Sequence, residues 1–258
     1  MKTGIIYNVF DGAELLEPSI KSIRGVFDEV VVVFQTRSYY GNVIKEYDIK
    51  EVIKDLCNSK LIDTPILLDF PDNARNTWEA KTMHRHQFQI GLKALKKNKI
   101  DYFHMSATDE FFIEEELKKA LQFVKKNNIN RSFCHIQTYS GLNERDIEMT
   151  DHVMSNLFYK NLGEQEMLKP STMPVYIDKV FEYGTPGSDH VFEKTDLMMH
   201  HYRLLRIDNN LRMKNSAISN REFLQNQINN LDSIKSKAEK SKNIFNINLD
   251  DFRRRYYK

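Results

Sequence analysis

Two adjacent acids, Asp109 and Glu110, follow the apolar run Asp101–Ala107 (DYFHMSA) and precede Phe111 and Phe112. Carboxylates at the end of a buried strand can hold a hard divalent cation, which in turn neutralises a diphosphate. The same residues also suit a helix start. Thr108 or Asp109 could cap a helix carrying Glu114, Glu115 and Glu116, whose charges favour its N-terminus. On spacing alone the capping reading is the stronger.

His200 and His201 form a second cluster, inside the mostly apolar run Asp196–Leu205. Neutral imidazole ligates Mn²⁺-like ions, but neighbours on a strand face opposite sides, so at most one of the pair reaches a given site. A core or surface histidine is the other reading. Lys81 and Arg85 lie one helical turn apart and could share a face. Arg85, Arg203 and Arg206 could each fork onto a phosphate, or be solvated charges.

These residues need elements to hold them. Gly4–Phe10, Asp28–Phe34, Thr64–Phe70 and Asp101–Ala107 read as strands, and the valines 30–33 are the strongest signal because they are β-branched and apolar on both faces. Between them, Ala13–Arg24, Glu46–Asn58 and Thr77–Lys97 read as helices; the last offers Trp78, Met83, Phe88, Ile90, Leu92 and Leu95 for an apolar face. Alternating strands and helices of this kind predict a parallel sheet covered on both sides. Ligands then bind beyond the carboxyl ends of the strands. That rule selects Phe10-Asp11-Gly12, Phe34-Gln35-Thr36-Arg37, Pro71-Asp72-Asn73 and Thr108-Asp109-Glu110.

Past Asp109 the alternation weakens. Glu114–Lys126 reads as a helix and Ser132–Tyr139 as a strand, and Gly141–Asp151 is an acid-rich loop. Two short strand candidates flank the Gly184-Thr185-Pro186-Gly187 turn, and the tail from Asp208 is polar and helix-prone. The expected organisation is residues 1–206 as one domain (1–112 binding nucleotide, 113–206 serving the acceptor) and 207–258 as a helical extension.

Composition excludes several classes. The 258 residues hold 9 Gly and 6 Pro, and no two glycines form G-x-G, so a phosphate-cradling loop of the Walker or dinucleotide type is absent. A net charge of +2 argues against a dedicated nucleic-acid binder. The apolar run at the N-terminus is too short for a secretory signal, and no stretch is long enough to span a membrane. Cys57 and Cys134 form no motif and read as free thiols of a reducing compartment.

The opening IIYNVFDGAELLEPSIKSIRGVFDEVVVVF and the segment IDYFHMSATDEFF resemble the nucleotide-sugar glycosyltransferases of the GT-A fold, the family-2-like group with a D-x-D-E-F motif. The likeness covers Lys2–Phe112, with an echo at His200-His201-Tyr202. It implies an α/β GT-A fold, a mainly parallel central sheet flanked by helices, with a C-terminal helical appendage. It also implies a metal-assisted transfer, with Mn²⁺ or Mg²⁺, of a sugar from a UDP-linked donor to a hydroxyl of a glycan or glycolipid acceptor. Polysaccharide or lipooligosaccharide biosynthesis in the cytoplasm is the implied setting. The basic ends KSKAEKSK and RRRYYK could add peripheral contact with the inner face of the membrane.

Residue by residue, the resemblance places the metal on Asp109 and His201. It places base, ribose and diphosphate on Phe10, Asp11, Gln35, Lys81, Arg85 and Thr108. An inverting transfer needs a general base; Asp189 ranks first and Asp146 second, with Glu144 and Asp151 behind them. Ala107 stands where the motif has its first Asp. That departure keeps open an inactive GT-A scaffold acting as a binding or assembly partner. A nucleotidyltransferase is disfavoured, since VFDGAELL lacks the Gly-rich, Arg-containing loop.

Overall fold

The computed structural model describes residues 1–139, 147–148, 154–161, 189–202, 205–209 and 244–258. The first half is built as β1 (Thr3–Val9), α1 (Ala13–Ile23), β2 (Glu29–Phe34), α2 (Ile49–Asn58), β3 (Thr64–Leu67), α3 (Thr77–Lys97) and β4 (Tyr102–Ser106). These four strands are parallel and lie in the order β3-β2-β1-β4. The order runs outward from β1 to β3 and then reverses, with β4 on the free side of β1. A crevice therefore opens between the carboxyl ends of β1 and β4.

The second half extends the same sheet. It comprises β5 (Glu110–Phe111), α4 (Glu114–Lys126), β6 (Arg131–Tyr139), β7 (Ile147–Glu148), β8 (Met154–Lys160), β9 (Asp189–Val191) and β10 (Met198–His201). β8 is antiparallel to both β4 and β6, whereas β10 is parallel to β6. The result is an α/β fold with a mixed, mostly parallel sheet flanked by helices. β8 escaped the sequence reading, which had no element there.

Packing follows the strand alternation. Ile6, Val31, Val33, Phe103 and Met105 face α3 and its Phe88 and Leu95. Gly91 lets that helix lie against the sheet, since a Cβ there would stand 2.4 Å from Cγ2 of Ile6. The opposite residues, Ile5, Tyr7, Val9, Val30 and Val32, face α1, α2 and α4. They also face α5 (Leu249–Tyr256), which buries Phe252 and Tyr256 in the same core. The basic face of α5 is largely satisfied within the protein: Arg255 pairs with Glu17 and Asp251, and Arg254 with Asp251. Among the described residues no helix is long and apolar enough to cross a membrane.

Two local expectations change. Thr108 and Asp109 do not cap α4: Ile113 occupies the cap position, and Glu110–Phe111 pair as a strand with His200–His201. Trp78, expected on the apolar face of α3, is 72% exposed, because the helix turns that residue away from the sheet.

Candidate active site

The turns after β1 and β4 meet at the crevice. Gly12 leads into α1 with φ 79, a left-handed conformation that glycine adopts without strain. A Cβ on Gly12 would lie 2.7 Å from Oγ1 of Thr108 and 3.1 Å from Nε of Arg206. Thr108 and Asp109 are both buried beside it.

Asp109 is the centre of the cluster. Its Oδ2 accepts a 2.7 Å hydrogen bond from Arg206, and Nε2 of His201 stands 3.6 Å from the same oxygen. The backbone fixes the arrangement, since the carbonyl of Asp109 accepts a 2.8 Å bond from the N–H of Tyr202. Arg206 is fully enclosed. Burial works against its charge, yet Asp109, Glu14 and Asp11 together hold its pKa above the ordinary value. Glu14 is pushed upward by burial, with Arg206 pulling the other way, and its Oε1 accepts from the N–H of Ile207.

Glu110 plays a different part. Its Oε2 accepts from the N–H of Ala107 and the hydroxyl of Ser106. Burial, and then the neighbouring Asp109, raise its pKa to about 8. It braces the turn and stays largely protonated at neutral pH. His200 points away from Asp109 and stacks on Tyr139, whose hydroxyl is 2.7 Å from its Nδ1. Burial lowers its pKa to about 4.

A cluster of buried polar side chains lies on the α3 side. Nδ2 of Asn8 donates to the carbonyl of His84 at 3.2 Å, and the Tyr39 hydroxyl donates to Oε1 of Gln87. The Tyr39 oxygen is also 2.8 Å from Nδ1 of His84. Burial lowers the pKa of His84 to about 4, so the ring is neutral. Because the tyrosine proton is committed to Gln87, Nδ1 of His84 must carry the proton that this oxygen accepts. Among the described residues, Oδ1 of Asn8, Oε1 of Gln35, Nε of Arg85 and Nε2 of Gln87 are shielded without a hydrogen-bond partner. Buried polar atoms are normally satisfied, so this cluster keeps hydrogen-bonding capacity that a polar ligand could use.

The other expected residues divide. Asp11 lies close enough to Arg206 to act on its charge, and Phe10 packs partly against the main core. Lys81 is exposed while Arg85 is half-buried, so of the two Arg85 lies nearer the sheet.

Asp189 is not at the site. It pairs with Arg131 at the start of β6, Nε donating at 3.2 Å. His201 pairs with Thr138, seven residues further along β6, and at ~3.3 Å per residue that is about 23 Å. The parallel register of β9 puts Asp189 at the amino end of the strands, opposite Asp109. Asp146 lies outside the described residues, as do Glu144, Asp151 and Arg203. Ile147, the residue after Asp146, pairs with Tyr139 at the carboxyl end of β6.

Asp109 and His201, whose Oδ2 and Nε2 stand 3.6 Å apart, would hold a divalent cation. Among the described residues no group of three His, Cys, Asp or Glu side chains forms a cage. The pair fits a cation whose remaining ligands come from a bound diphosphate.

No family model and no curated protein matches the sequence. Solved structures of S. aureus TarS are similar to it. The first shares 14% identity over 62% of this chain and 28% of its own, with a TM-score of 0.39. TarS 1–349 shares 12% over 93% and 74%, with a TM-score of 0.40. TarS 1–349 in complex with UDP-GlcNAc shares 16% over 59% and 38%, with a TM-score of 0.32. These likenesses are distant, and this chain spans little more than a quarter of the length of the first.

Proposed function

We propose that the protein is a GT-A-type glycosyltransferase, moving a sugar from a nucleoside-diphosphate donor, UDP-linked, to a hydroxyl of a glycan or lipid-linked acceptor. One observation carries the reading. At the strand-order reversal, where an open α/β sheet takes its ligand, Asp109, His201 and Arg206 converge beside Asp11, on the sheet that also carries shielded, unpartnered polar atoms of Asn8 and Gln35. The sequence resemblance over Lys2–Phe112 supports the same assignment.

The residues divide the work by chemistry. Asn8, Gln35 and Asp11 offer acceptors and donors for a base and ribose at the ends of β1 and β2. Phe10 and Thr108 border them. Arg85 meets the diphosphate, with Lys81 at the rim. Asp109 and His201 hold Mn²⁺ or Mg²⁺, which when bound offsets the negative charge growing on the leaving diphosphate. Asp146 takes the acceptor's hydroxyl proton as the sugar is transferred.

A donor-hydrolysis screen across nucleotide sugars, with Mn²⁺ or Mg²⁺, tests the proposal; slow release of a nucleoside diphosphate from one donor is the expected result. Ala107 favours a second reading, a GT-A scaffold that binds nucleotide without turning it over. Tight nucleotide binding with no hydrolysis of any donor and no transfer would favour that reading.

A further inference from the structure

Resting on that reading, we infer that Arg206 is itself a cation for the donor's diphosphate, so that nucleotide binding does not require a divalent ion. A guanidinium is rarely enclosed without partners. Here its side chain is 2% exposed and bonded to Asp109, and its Nε is shielded with no hydrogen-bond partner among the described residues. That Nε lies 3.1 Å from the place a Cβ on Gly12 would occupy, next to Oγ1 of Thr108. Glycine at this position is what leaves the guanidinium room beside the turn after β1.

The surrounding charges point the same way. Ala107 contributes no carboxylate to the turn after β4. Oδ2 of Asp109 already accepts from a positive group. The guanidinium stands beside Asp109 whether or not a metal is bound there. With Nη1 donating to the carbonyl of Leu205 and Nη2 to Asp109, Nε is the N–H left for a phosphate oxygen.

The test is isothermal calorimetry with UDP, GDP and ADP as probes, in EDTA and in Mn²⁺, on wild type, Arg206→Lys and Arg206→Met. The best-bound nucleotide is expected to bind wild type in EDTA within about tenfold of its Mn²⁺ affinity. Arg206→Met should lose about tenfold or more in EDTA, with Arg206→Lys between the two. Wild-type binding that is measurable in Mn²⁺ and abolished by EDTA would overturn the inference while leaving the glycosyltransferase reading intact. Wild-type affinity in EDTA for a folded Arg206→Met would overturn it too. Failure of all three nucleotides to bind under either condition would overturn the parent reading and this one together. If Arg206→Met does not fold, the wild-type comparison and Arg206→Lys still decide the matter.

Discussion

Arg206 and Asp109, far apart in the chain, form a 2.7 Å ion pair in which both side chains are 2% exposed. Removing one member of such a pair strands a buried charge, at a cost of about 3–5 kcal/mol. Asp109→Asn and Arg206→Met are each expected to lose about 3 kcal/mol in urea unfolding. The asparagine variant should fall toward the lower end, because Glu14 and Asp11 still face the guanidinium. The double variant should lose less than the sum by more than about 1 kcal/mol. Strictly additive losses would show that the pair is not coupled.

Gly12 supports the same cluster from the backbone. Its φ of 79 and the 2.7 Å approach of Thr108 leave no room for a side chain. Gly12→Ala should destabilise by more than about 1 kcal/mol, lowering the urea midpoint at unchanged m-value. A midpoint equal to wild type would mean the turn relaxes freely.

His104 predicts an acid limb. The ring is enclosed by Phe27, Phe112 and Phe158, and burial lowers its pKa from 6.5 to about 4. Between those values the unfolded chain holds a proton that the folded chain does not. Stability attributable to His104 is therefore complete above pH 6.5 and falls as pH drops toward 4. Its share of the slope is about 1.4 kcal/mol per pH unit. His104→Gln, which keeps a donor for the carbonyl of Leu157, should flatten the stability–pH curve in that window. An unchanged slope would count against the neutral, buried imidazole.

The two acids ranked as bases from sequence should now separate. Asp189→Asn breaks a contact with Arg131 remote from the crevice and is expected to leave the transfer rate within about threefold. Asp146→Asn should lower it by about 10²–10⁴. Steady-state transfer at saturating donor distinguishes them, and the reverse ranking would refute the placement of the base.

Much of the parallel half was legible because its forces are local. The run of valines 30–33 admits few structures other than a strand buried on both faces, and the ranges Thr77–Lys97 and Glu114–Lys126 match α3 and α4. Boundaries moved where side chains intervened: Asp48 accepts from the N–H of Lys50, so α2 begins at Ile49 rather than near Glu46. The site was legible only at its strand ends. Alternation allowed only one of His200 and His201 to reach a given site, and His201 is the one that stands beside Asp109. Arg206 stood among several arginines until tertiary packing brought it onto Asp109. The position of Asp189 depended on the register of β9 against β6, which nothing in its neighbouring residues specifies.

Release of nucleoside diphosphate from the best donor, measured for wild type and Asp109→Asn at a temperature where both are folded, tests the central claim most directly. Loss of an interaction made at the leaving group predicts a fall of about 10²-fold or more in the asparagine variant. Equal rates in the two proteins would contradict the assignment of the active site to the Asp109 cluster.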